Sequence, residues 1–73
     1  MKLSEFDRAL ADEFGALAPV LRRETVVVEL GNRTPEAALA AGVPARDVWL
    51  AVCRMQDVPP ERRHGAGLPE PPR

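Results

Sequence analysis

Residues 34–53 read TPEAALAAGVPARDVWLAVC, and this stretch decides the fold. Thr34 is a helix N-cap residue, Pro35 suits the first helical position and Glu36 sits in the first turn. Ala37 to Ala41 are strong helix formers, and Gly42 ends the run. Val43-Pro44 turns the chain, with Pro44 placed for a second helix start. That helix, about Ala45 to Gln56, puts Val48, Val52 and Met55 on one face, flanked by Trp49 and Ala51. Ala38 is small where the two helices approach, Gly42 tolerates positive φ at the turn, and Val43, Val48 and Ala51 fall where locking residues are needed. The stretch reads as a helix-turn-helix-like α-hairpin.

Upstream, Ser4 reads as an N-cap with Asp7 three residues on, and Phe6, Leu10 and Phe14 recur at helical spacing. Gly15 is the expected stop, giving a first helix of about Glu5 to Phe14. Pro19 fits the first turn of a second helix that ends before Gly31-Asn32, and the residues leave open whether it runs through Arg22-Arg23-Glu24 or breaks there. Val26-Val27-Val28 carries a β-branched bias, yet nothing else in the chain offers a strand to pair with, so helix is the reading. Downstream, Pro59-Pro60 stops the last helix. Five of the eight prolines lie from Pro59 onward, with little apolar content beyond Leu68. The expected fold is all-α: three or four helices over residues 1–58, then a disordered Pro/Gly-rich tail over residues 59–73.

Composition narrows the function. Fifty-eight residues form one small core, and a domain of that size buries only about 60% of the surface its unfolded chain exposes. The single cysteine, Cys53, excludes an intrachain disulfide and four-cysteine zinc sites. Charges run through the N-terminal apolar residues, and no segment nears a membrane span, so the expected setting is cytoplasmic with no membrane partner. His64 is the only histidine and lies in the tail, which leaves no metal cluster and no histidine-dependent triad. Gly65-Ala66-Gly67 lacks the flanking elements of a phosphate loop. Asp12-Glu13 and Glu24 read as a solvated face, and Cys53 as a buried, inert thiol. The expectation is a non-enzyme with no cofactor and no small-molecule substrate.

Two partner classes remain. Through Val58 the chain has seven basic residues against nine acidic ones, a net of −2, whereas DNA affinity rests on several cations meeting phosphates. The outward residues of the last helix are expected to be Ala45, Arg46, Trp49, Leu50 and Cys53. Only Arg46 among them is an ordinary base reader, and Asp47 beside it repels phosphate. DNA is thus the runner-up. The leading expectation is another protein, bound through Trp49, Leu50, Arg46 and Arg54. A lone Trp reads first as core and second as an interface anchor, and the outward Trp49-Leu50 pair keeps the second reading open.

The chain also resembles a family of small actinobacterial proteins known as domain of unknown function 3046. The likeness rests on Met1-Lys2-Leu3-Ser4-Glu5-Phe6, Asp12-Glu13-Phe14-Gly15 and Glu29-Leu30-Gly31-Asn32-Arg33-Thr34. It continues through Glu36 to Val43, Asp47-Val48-Trp49, Val52-Cys53 and Asp57-Val58-Pro59-Pro60-Glu61-Arg62-Arg63. Family members usually carry a second Trp just after the N-terminal Phe, where Asp7 stands here. The resemblance implies a helical fold and an actinobacterial, cytoplasmic setting. It implies no activity, and a link to DNA metabolism only through the family's gene neighbourhood, near a recombinase and its regulator.

Overall fold

Helix α1 (Leu3–Phe14) opens the fold, in a computed structural model that describes residues 1–66. Its N-cap is Lys2 rather than the expected Ser4. The Glu5 carboxylate accepts the Lys2 backbone N–H at 2.8 Å, which draws two more residues into the first turn. Gly15 ends α1 as expected, with φ +54° and ψ −126°, a conformation that favours glycine. A 3-10 turn, Gly15–Leu17, then leads into α2 (Ala18–Arg23), which has Pro19 in its first turn.

The helix expected to run on to Leu30 breaks after Arg23, which decides between the two alternatives left open there, and does not resume as α-helix. The Thr25 hydroxyl donates to the Val20 carbonyl at 3.3 Å, and the chain becomes extended. Val27 N–H donates to the Arg33 carbonyl at 2.9 Å in an isolated antiparallel bridge. A 3-10 turn, Val28–Leu30, lies between them, and Gly31 (φ +73°) and Asn32 (φ +59°) return the chain. The β-branched preference of residues 26–28 is thus met by one bridge, and among the described residues there is no strand.

α3 (Pro35–Ala40) and α4 (Ala45–Met55) form the α-hairpin read from the sequence. Thr34 Oγ1 accepts from Ala37 N–H at 3.1 Å, so the cap is made as expected. Both helices end in the same motif. After α3, Val43 N–H reaches the Ala38 carbonyl (3.0 Å) and Gly42 N–H the Leu39 carbonyl (3.1 Å). After α4, Val58 N–H reaches the Cys53 carbonyl (2.9 Å) and Asp57 N–H the Arg54 carbonyl (3.3 Å). Gly42 occupies the left-handed position of the first (φ +95°) and Asp57 that of the second (φ +56°).

α4 is the hub. It packs against α1, α3, the Val28–Leu30 turn and a C-terminal 3-10 segment, Pro60–Ala66. Phe6, Ala9 and Leu10 of α1, Ala18 of α2, Val27, Leu30, Ala38 and Val58 surround its buried Val48, Trp49, Ala51, Val52 and Cys53. Ordered structure therefore runs past the Val58 boundary expected from composition. Composition misses this because the contacts made by Arg62 and Arg63 run through a backbone carbonyl and guanidinium groups, which leave no apolar pattern. Residues 67–73, where Leu68 and the rest of the expected tail fall, lie outside the described residues.

Candidate protein-interaction surface

A helix contacted from several sides buries a wide arc, and this changes which residues of α4 face outward. Trp49 is only 1% exposed. Its indole meets Phe14 edge-to-face with ring centroids 6.3 Å apart, and its Nε1–H donates to the Arg63 carbonyl at 2.9 Å. Of the two readings open to Trp49, core is the one met, and its place as an outward interface anchor on the hairpin is corrected: the segment that covers the indole lies past Val58. Cys53, one turn on, is buried with it. Burial pushes its thiol up to about 11, with Arg63 and Arg54 lowering it and Glu13 raising it further. Such a thiol is protonated at neutral pH and a poor nucleophile.

What α4 does present is Arg46, Asp47 and Arg54, with Leu50 half-buried. Arg46, Leu50 and Arg54 follow one another at i, i+4 and form one strip along the helix. At its C-terminal end the Arg54 guanidinium Nε lies 3.0 and 2.9 Å from the two carboxylate oxygens of Glu29. Glu29 belongs to the Val28–Leu30 turn, and beside this pair lies a shallow groove of about 230 Å³ lined by Val26, Val27, Val28, Glu29, Arg54 and Met55. Val27 points into the core, while Val26 before it and Val28, the first residue of the 3-10 turn, face outward. Val28 is 78% exposed and Val26 54% exposed.

Over residues 1–61 the chain matches the family described as Protein of unknown function (DUF3046). The chain belongs to this family. No curated protein and no solved structure matches it. The family description carries no activity, so the function of this DUF3046 member has to be argued from its own surface.

A second groove, of about 420 Å³, lies between α1 and α2 and is lined by Leu10, Ala11, Gly15, Ala18 and Pro19 with Asp7, Arg22 and Arg23. Its two closest charges neutralise each other, Arg22 Nε lying 3.3 Å from Asp7. The cations of this DUF3046 chain are largely used internally. Arg8 pairs with Asp12 (4.0 Å), Arg23 with Glu36 (3.7 Å) and Arg62 with Glu13 (3.0 Å), besides the pairs of Arg22 and Arg54. Among the described residues Lys2, Arg33, Arg46 and Arg63 form no ion pair. No helix of the described residues is long and apolar enough to cross a membrane, and no group of three or more metal-ligating side chains occurs among them.

Of the four residues singled out from sequence, Arg46, Leu50 and Arg54 share the exposed strip and Trp49 does not. Sequence reasoning missed Val26 and Val28. The available signal was their β-branched run, which argued against helix and towards an extended segment where alternate residues face out.

Proposed function

We propose that this protein is a non-catalytic module that binds another protein through the surface formed by Val26, Val28 and the Arg46–Leu50–Arg54 strip. The observation that carries the reading is the exposure of two neighbouring valines on a well-defined segment. A flexible loop would leave such residues free to fold back. Here Val27 is buried and paired with Arg33, and the Gly31-Asn32 turn fixes the return of the chain. The partner's chemistry follows from the surface: an apolar side chain for the groove beside Val28, ringed by polar groups that reach Arg46 and the Glu29–Arg54 pair.

The test is a pair of substitutions, Val28→Asp and Val26→Asp, in the full chain. Both side chains are exposed, so the helical spectrum and melting temperature should hold while association with the native partner is lost. Retention of every native association by folded Val28→Asp and Val26→Asp proteins rejects the reading.

A helix-turn-helix acting on DNA is the second reading, favoured by one observation: Arg46 stands exposed and unpaired on the first turn of α4. Against it, Asp47 is adjacent and Arg54 is engaged by Glu29. Binding of random duplex DNA that falls steeply with salt, and falls again in Arg46→Ala, would establish it; binding flat across salt would remove it.

A further inference from the structure

Over residues 60–63 the Pro60–Ala66 segment is attached through polar contacts. Pro60, Glu61 and Arg62 are exposed and Arg63 is half-buried, so none of these four places an apolar side chain in the core. Among the contacts that hold the segment are the Trp49 N–H to the Arg63 carbonyl (2.9 Å), Arg63 Nε–H to the Val58 carbonyl (2.8 Å) and the Arg62–Glu13 ion pair. That pair closes to 3.0 Å, yet Glu13 Oε1 is buried and its approach to Arg62 lacks hydrogen-bond geometry. The Glu13 side chain is only 19% exposed. A hinge precedes the segment: Asp57 at positive φ, then Val58 buried as an anchor, then Pro59.

We propose that Pro60–Ala66 is a strap that detaches as a unit while the four helices stay folded. Detachment uncovers the Trp49 N–H, the edge of the Phe14–Trp49 pair and the Glu13 carboxylate together. Elements held by polar contacts at the surface open well below the free energy of global unfolding, whereas elements anchored by buried apolar side chains do not. α4, whose Val48, Val52 and Cys53 are fully buried, belongs to the second class. Val58 stays with the core because its N–H caps α4 and its side chain is buried, so the hinge falls at Pro59. The strap thus works as a cover over the largest buried side chain of the fold. The opened state is an aromatic edge with a free N–H donor beside a carboxylate. The inference stands independently of the valine surface.

The experiment is hydrogen exchange by NMR on the full 73-residue chain, following the Trp49 indole N–H and the Val52 amide as protection factors. Strap opening predicts an indole proton at least about tenfold less protected than Val52, with a shallower dependence on urea. Leu30→Val should raise the Val52 rate severalfold and leave the indole rate unchanged, because the core contact it trims is kept in the strap-open state and lost only on global unfolding. Equal protection of the two protons, with matching urea dependence and a matching response to Leu30→Val, overturns the proposal. The indole would then be released only when the whole chain unfolds.

Discussion

Raising the pH above 9 should destabilise this protein through one residue, Cys53. In the folded state burial holds its thiol at about 11, against an ordinary value of 9.0. Below pH 9 the thiol is protonated in both states and contributes nothing to the pH dependence. Above pH 9 the unfolded chain ionises first, so stability is lost as pH climbs from 9 towards 11. At pH 10 that gap corresponds to about 1.4 kcal/mol, and for a domain of this size to a fall of roughly 5–10 °C in melting temperature. The sequence makes the effect easy to isolate, because the chain has no tyrosine and one lysine, leaving few other groups to titrate in this range. Thermal melts by circular dichroism between pH 8 and 10.5, on wild type and Cys53→Ala, supply the assay. The variant starts less stable because it loses core volume, but its melting temperature should stay nearly level over the range. Equal slopes for the two proteins would refute the reasoning, and with it the assignment of Cys53 as a desolvated, unreactive thiol.

Further outcomes are expected. Trp49→Ala should cost about 3–5 kcal/mol in chemical denaturation, and Trp49→Phe about 1–2, the latter by leaving the Arg63 carbonyl without its donor. Loss of partner binding in Trp49→Ala therefore reports unfolding and not an interface. Gly42→Ala should cost about 1–2 kcal/mol from backbone conformation alone, since φ is +95° and nothing lies within 4 Å of the added carbon. Val28→Asp should change stability by no more than about 0.5 kcal/mol, as suits an exposed side chain. Arg46→Ala should leave any weak DNA association without its first contact, seen as a flatter dependence on salt in an anisotropy titration.

The elements legible in the sequence are those whose signals are local. Thr34 caps α3, Gly15 and Gly42 stop helices, and the period of Val48, Val52 and Met55 marks α4. What was not legible depends on contacts distant in sequence. The Val26-Val27-Val28 run had no strand to pair with on paper, because its partner is Arg33, six residues on and reached through two consecutive positive-φ residues. Gly31-Asn32 was read as a helix stop when it is the turn of that bridge. The hairpin alone leaves Trp49 open between core and outward anchor, because what covers the indole lies outside it. The cover is a proline- and arginine-rich segment with no apolar pattern, joined to the indole by a backbone carbonyl that leaves no mark in the sequence. At Lys2, a carboxylate three residues on took over the capping that Ser4 was expected to supply.

The proposal that Val26 and Val28 form a protein-binding surface is tested most directly by site-specific photo-crosslinking in the native cell. A photoreactive residue at position 28 should give one discrete crosslinked product, lost when Val26→Asp is added, while the same residue at exposed Arg8 on α1 gives none. No product from position 28, or the same product from both positions, would contradict the account.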